Sequence, residues 1–582
     1  MPMYRYLLTL LYALLNHVPK TVWAVLQVIV DTYKFWCEKL FTSMRPVSRS
    51  VYQDAIAELD NCSSFKEWYE QAKLVDEITG ADLWRRNFAS QRYDFHLVLE
   101  QYQLIAEALD NGNAAVLVQK FTAVGPTMLR NFAGILDKRL FTKSLCGTKL
   151  LIEIYLDKVV EYLRYLSKLP EQVPISIFQR CRASLGTTAL VLQGGSLFGL
   201  YHLGVIKGLL LQGLLPNVLS GSSMGACIAS FCGTLTNEQL QELFNEDRLL
   251  TLIKEDITLL KQSGYGNIDQ NLSLGTLIEN VVHKGYSKDV FLFIRFVQKH
   301  IVKELTFEEA FLRTGKILNI VVHSSDPNAC PPLLNYVTAP NTLISSAIDC
   351  SLGSGVLSDD TRLLCKDLQN KIINYLPEGK NVKFVAPRSV NENGTVSSPY
   401  TRLTELFNVN NFIVSLARPY LAPLVLSDLK HEIKTSKYYY YKSYPRYDLQ
   451  GVSPQHLLNL EDVEPLAYKL KYHVERKLKH ILTLELRHRF DVLGNLGLLS
   501  GWVSKFADDE KIPRSATEVT IVPKLKSLSL SRVVEGQLDN IPYWIECGER
   551  SCWPVLPLIK TRCIVEYTID DIIKQRRQQN NT

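Results

Sequence analysis

The chain has 582 residues, of which 46% are apolar, 21% charged and 10% aromatic. That balance suits a folded protein with a sizeable core and excludes disordered, collagen-like and mucin-like chains. Its 65 basic and 59 acidic residues leave a formal charge of +6, too small and too dispersed for a nucleic-acid binder, whose basic residues gather into tracts.

The first 41 residues are lipophilic. Leu7 to Leu15 and Val22 to Val30 are two largely apolar stretches separated by Asn16, His17, Val18, Pro19 and Lys20. Neither reaches the ~20 residues that cross a hydrocarbon core, and Pro19 breaks or kinks a helix joining them. No small-residue cleavage site marks a removable signal. Residues 1–41 read as a membrane or lipid-surface segment, a helical hairpin or a pair of interfacial helices, with Tyr4, Tyr12, Trp23 and Trp36 placed for the lipid–water boundary. Two core helices of an ordinary domain would show the same pattern.

Residues 42–184 form a helical region, with apolar positions at three- and four-residue spacing over Ser64 to Val75, Phe95 to Leu109 and Lys149 to Tyr165. Trp84-Arg85-Arg86 reads as a solvated helix face with ion pairs. The pattern changes near residue 187. Thr188 to Gln193, Val218 to Ser220, Ile317 to Val322 and Asn411 to Ser415 are short apolar runs of the kind that form buried strands, and a helix-like stretch covers Leu197 to Leu211. Strands alternating with helices argue for an α/β domain with a largely parallel sheet, placed at 185–425.

Residues 426–582 are mostly helical. They include a loop over Gly451 to Pro465, a basic amphipathic helix over Leu466 to Leu493 that suits an anionic lipid surface, and two strand-like stretches, Glu518 to Val522 and Ser527 to Ser531. The last eight residues, from Gln575, read as frayed. The 12 cysteines are scattered without a CxxC, which predicts reduced core thiols and a cytosolic setting.

Two motifs carry chemistry. Gly221-Ser222-Ser223-Met224-Gly225 is a G-x-S-x-G between a short apolar strand and a helix that opens with small residues. Such a turn exposes Ser223 Oγ at a helix N-terminus, where unpaired N–H groups favour a developing oxyanion, so Ser223 is the candidate nucleophile. Gly194-Gly195-Ser196-Leu197-Phe198-Gly199 follows the first strand. Its spacing fits neither a dinucleotide fingerprint nor a P-loop. It suits an oxyanion loop, with Gly194, Gly195 and Ser196 lining the negative charge. No histidine presents itself as the base: His202 is of the kind that packs, and His283, His323 and His431 have no supporting pattern. A Ser–His–Asp order and a Ser–Asp dyad both stay open. The reading calls for no cofactor and no metal.

These two motifs together resemble the patatin-like phospholipase domain. With Trp84-Arg85-Arg86, Asn335 to Pro340 and Arg402 to Val409, the likeness extends over nearly the whole chain to the yeast-type triacylglycerol lipases of lipid droplets. The resemblance implies a patatin-like α/β domain with a Ser–Asp dyad. It implies cleavage of fatty-acyl esters of neutral lipid, with lysophospholipid acylation as a second activity in some members. It also implies contact with neutral lipid and a phospholipid surface, and residence on the lipid droplet, with the endoplasmic reticulum membrane as second location, facing the cytosol.

One departure matters. The family's Asp-Gly motif, before the block that begins at Arg402, is replaced here by Pro387-Arg388-Ser389-Val390-Asn391-Glu392-Asn393-Gly394. Pro387, Asn391 and Asn393, the residues nearest the missing aspartate, cannot accept a proton as a carboxylate does. Asp349 or Glu392 then becomes the candidate base, with Asp359 and Asp360 behind them. The alternative is an acyltransferase or a hydrolysis-impaired droplet scaffold.

Overall fold

The computed structural model describes residues 51–90, 92–112, 118–119, 121, 131–169, 171, 173–194, 198–245, 248–262, 288–326, 328–353, 361–376, 382–384, 398–417, 485, 517–523 and 541–581. The lipophilic segment 1–41, the basic helix 466–493 apart from Glu485, the 451–465 loop and Ser527 to Ser531 lie outside the described residues.

The helices that lead into the sheet include α1 (Phe65–Thr79), α2 (Phe95–Asp110), α3 (Leu150–Ser167) and α4 (Ile175–Leu185). Ser64 caps α1 through the Glu67 N–H, and Asp94 caps α2 through the Leu97 N–H, each satisfying an N–H with no intrahelical acceptor. Trp84 is buried rather than on a solvated face. The fully buried Lys149 ammonium sits 4.3 Å from the Trp84 ring centroid and donates to the Trp84, Asn87 and Ala89 carbonyls. Arg85 pairs at 2.8 Å with Glu153 on α3.

The sheet follows. β1 (Thr187–Gln193), β2 (Val218–Ser222), β3 (Ile317–Val321), β4 (Leu333–Leu334), β7 (Val409–Leu416) and β8 (Thr517–Ile521) lie in the order β4-β3-β2-β1-β7-β8. All pair parallel except the β3–β4 edge. A two-stranded ribbon, β5 (Leu364–Lys366) with β6 (Ile372–Asn374), stands apart. This is the mostly parallel α/β sheet expected from the sequence, with helical regions on either side of it in the chain.

Parallel strands covered on both faces need apolar residues at every position, and β1 shows this. Ala189 and Val191 pack on one face with Val218, Val414 and α9 (Pro399–Phe407), while Leu190 and Leu192 join the larger core on the other. That second face carries α5 (Tyr201–Leu211) and α6 (Met224–Gly233). Downstream of α6 come α7 (Arg248–Gln262), a π-helical turn at Val297–Val302, and α8 (Ile344–Leu352).

The C-terminal helices α10 (Ile541–Cys552) and α11 (Leu556–Asn581) complete the molecule. α10 lies along α5, and α11 runs against α3 and α4. Trp553 meets Trp68 of α1 with ring centroids 6.1 Å apart. The frayed end expected from Gln575 onward is instead helical through Asn581. Arg576, 7% exposed, donates to the carbonyls of Leu166, Ser167 and Val173, and this anchors a polar sequence that propensity alone would leave loose.

Eleven cysteines among the described residues are in the thiol form, ten of them buried. Among the described residues no helix is long and apolar enough to cross a membrane.

Candidate active site

β2 ends at Ser222 and α6 begins at Met224, so one residue makes the whole turn. That residue, Ser223, takes φ 56° and ψ −124°. Residues with a Cβ avoid this region, at a cost on the order of 1–3 kcal/mol. The backbone passes so close on either side that both flanking glycines are obligatory. A Cβ on Gly221 would stand 2.3 Å from the Gly225 carbonyl oxygen, and one on Gly225 would stand 2.1 Å from that of Leu192. Ser223 is 9% exposed and sits at the carboxyl end of the parallel strands, where open α/β sheets place their ligands.

The first strand ends beside it. Gln193 is in register with Ser222, and Gly194 leaves the sheet at φ 59°. The Gly194 N–H donates to Ser222 Oγ at 3.3 Å, and the Gly194 carbonyl accepts from the Gly225 N–H at 3.2 Å. The glycine loop and the serine turn are thus fastened together at their bases. Gly195 and Ser196, the other two expected oxyanion residues, lie outside the described residues.

Ser351 of α8 ties the turn to the next strand. Its Oγ accepts from the Ser223 N–H at 2.9 Å and donates to the Val321 carbonyl at 2.7 Å. With that N–H engaged, the donor at the head of α6 is the Met224 N–H, which has no acceptor within the helix. It lies at the positive end of the helix dipole.

Asp349 lies on the same helix, two residues before Ser351. Its carboxylate accepts from Gln298 Nε2 at 2.6 Å. Burial pushes its pKa up to about 6 against the Gln298 bond, and its charge is felt by Cys227, one turn along α6 from the serine. Asp349 therefore stands beside the helix that Ser223 heads, held by a glutamine. Glu392, Asp359 and Asp360, and the stretch that replaces the Asp-Gly, lie outside the described residues.

His202 is wholly buried on α5, as a packing residue would be, with Nδ1 2.7 Å from Ser415 Oγ of β7. Sequence reasoning missed Ser351, Gln298 and Ser415. No local pattern marks them, because each meets its partner across 51 to 213 residues of chain.

Comparison with known proteins agrees with this geometry. Residues 190–354 match the Patatin-like phospholipase family, and residues 47–183 match Domain of unknown function (DUF3336). The chain is 56% identical to Triacylglycerol lipase 3 of Saccharomyces cerevisiae, over 99% of this chain and 97% of that one. It is 31% identical to Triacylglycerol lipase ptl1 of Schizosaccharomyces pombe, over 88% and 84%. It is 25% identical to Triacylglycerol lipase SDP1L of Arabidopsis thaliana, over 94% and 62%. A strained serine between strand and helix, flanked by a glycine turn, lies inside the matched segment, and the likeness runs the length of the chain. The chain belongs to the family of triacylglycerol lipases built on a patatin-like phospholipase domain.

Proposed function

We propose that this protein hydrolyses triacylglycerol at the lipid-droplet surface, with Ser223 as nucleophile. The observation that carries the reading is the Ser223 backbone, held at φ 56° between β2 and α6 in a chain that is 56% identical to Triacylglycerol lipase 3 over 99% of its residues. Ser223 Oγ attacks an ester carbonyl carbon, and the negative charge forms on the carbonyl oxygen. The Met224 N–H and the positive end of α6 stabilise it, joined by the backbone at Gly194, Gly195 and Ser196. A carboxylate takes the serine proton and returns it to the glycerol oxygen as the carbon–oxygen bond breaks, releasing diacylglycerol. Water then attacks the acyl-serine, the carboxylate takes its proton and returns it to Ser223 Oγ as the acyl–oxygen bond breaks, and fatty acid leaves.

Asp349 and Glu392 are the candidates for that carboxylate. Asp349, with its pKa pushed up to about 6, is poised for proton transfer near neutral pH. Its bond to Gln298 must open first. The substrate is uncharged and insoluble, so the enzyme works at an interface. The apolar stretches Leu7 to Leu15 and Val22 to Val30 supply the lipid contact, on a droplet or on the endoplasmic reticulum face exposed to the cytosol.

Fatty-acid release from a triacylglycerol emulsion tests the reading. Ser223→Ala and Ser223→Gly are both expected to lose about 10³-fold or more of the wild-type rate. Only the glycine variant, freed of a strained Cβ, is expected to gain stability over wild type, by about 1–2 kcal/mol in equilibrium unfolding. Release that survives in Ser223→Ala overturns the nucleophile. Wild-type protein that binds the emulsion without releasing fatty acid favours the scaffold or acyltransferase alternative.

A further inference from the structure

The last rung between β2 and β3 runs through a side chain. The Ile317 N–H donates to the Asn217 carbonyl at 2.8 Å, and the register then runs from Val218 beside Ile317 to Ser222 beside Val321. In such a parallel ladder each N–H donates to the residue before its opposite number, and each carbonyl accepts from the residue after it. Ile317, Asn319 and Val321 are therefore the β3 residues that face β2, and the N–H due at the Val321 carbonyl is that of Ser223. The Ser351 hydroxyl, in a residue 1% exposed, stands between the two. It accepts from the Ser223 N–H at 2.9 Å and donates to the Val321 carbonyl at 2.7 Å.

Two bonds in series span more than one. β2 can thus part from β3 at Ser223 and turn into α6 without stranding a buried N–H and a buried carbonyl. The hydroxyl also holds the strain of the turn. Ser223 keeps φ 56° against Met224, which is fully buried at the head of α6. The angle relaxes only if the peptide before Ser223 rotates, and that rotation swings its N–H off Ser351. The strain and the cost of stranding a buried N–H are of the same order, so one hydrogen bond suffices to hold the turn. Ser351 is itself anchored, because Ser346 on the same helix donates to the Leu343 carbonyl at 2.9 Å and accepts from the Leu364 N–H at 3.0 Å.

We infer that Ser351 is a positioning residue for ester hydrolysis: its hydroxyl, standing in the last β2–β3 rung, fixes the peptide before Ser223 and with it the line along which Ser223 Oγ approaches the ester carbon. It acts through the Ser223 backbone alone. The inference rests on the reading of Ser223 as nucleophile.

Two serine deletions on one helix separate this role from packing. Ser351→Ala removes the hydroxyl in the rung. Ser346→Ala is its control, deleting a buried hydroxyl that also joins an N–H to a carbonyl but whose partners lie outside the turn. The measurements are kcat and KM on a short-chain soluble ester, the rate at which a fluorophosphonate labels Ser223, and the urea unfolding midpoint. Ser351→Ala is expected to lower kcat about 100-fold, the scale of a misplacement of about 1 Å. KM should stay within about twofold, and labelling should slow in step with kcat. Ser346→Ala is expected to lower the urea midpoint while kcat stays within about twofold of wild type. Wild-type kcat and labelling in Ser351→Ala, or equal losses of kcat in the two variants, overturns the inference. Should Ser351→Ala fail to fold, Ser351→Cys decides. Its thiol keeps the shape but donates and accepts weakly, so kcat should fall about tenfold with KM unchanged, and an unchanged kcat rejects the proposal. Ser223→Ala run in parallel keeps the two readings apart. Activity surviving there rejects the nucleophile. Activity lost there but intact in Ser351→Ala rejects only the role of Ser351.

Discussion

Asp349 is a carboxyl with a conflict built in. Burial pushes its pKa up to about 6, while Gln298 donates a hydrogen bond that favours the ionised form. A carboxyl whose folded pKa lies above its ordinary 3.8 holds its proton more tightly in the folded state. Its penalty on stability is absent below about pH 3.8, grows toward about pH 6 and is complete above. Asp349→Asn keeps an acceptor for Gln298 and removes the buried charge. It should raise stability at pH 8 by up to about 3 kcal/mol and leave it unchanged at pH 3.5, as read from urea unfolding at both values. The same variant identifies the base. Lost hydrolysis, with a wild-type kcat/KM limb rising through about pH 6, gives the role to Asp349; retained hydrolysis gives it to Glu392. At this scale the sequence spoke clearly only where chemistry is local. Gly221, Ser223 and Gly225 announce a turn because three neighbouring residues must share one tight path. Ser351, which holds the Ser223 N–H from 128 residues away, leaves no such trace.

Among the elements, the strands were the most legible. β1, β2, β3 and β7 each match an apolar run to within two residues at either end, because burial on both faces removes polar alternation. The stretch around Glu518 also reads as a strand, but nothing in it tells that its neighbour is β7. Helix pairing was hidden for the same reason. α5 and α10 approach so closely that a Cβ on Gly204 would stand 1.9 Å from the Ile545 carbonyl oxygen, and one on Gly548 would stand 2.2 Å from that of Tyr201. Backbone cannot yield as a flexible side chain does, so the two helices must part to admit a methyl group. Gly204→Ala should therefore cost about 3 kcal/mol in urea unfolding, the upper range for overpacking.

Across the whole molecule, the N- and C-terminal helices are structural members of the sheet domain. Glu566 of α11 accepts from the Thr188 N–H at 3.0 Å and the Thr188 hydroxyl at 2.5 Å, and it pairs with Arg182 of α4 at 2.9 Å. Arg182 also reaches Asp570 at 2.6 Å. Burial pushes the Glu566 carboxyl up, and the guanidinium opposes it. Glu566→Ala leaves the buried Thr188 N–H and hydroxyl without their acceptor and Arg182 with Asp570 as its one remaining carboxylate, so the unfolding free energy should drop by about 3 kcal/mol; a loss under about 1 kcal/mol would show that the sheet stands without this clamp. The clamp also imposes an order in time. Thr188 and Glu566 are 378 residues apart, and at about 5–20 residues per second a ribosome needs roughly 20 to 75 seconds to travel between them. For most of that interval the nascent chain already contains Ser223, yet the first strand beside it lacks the carboxylate that secures its start. The first strand of the sheet is therefore clamped only after α11 has been made, late in the order of synthesis.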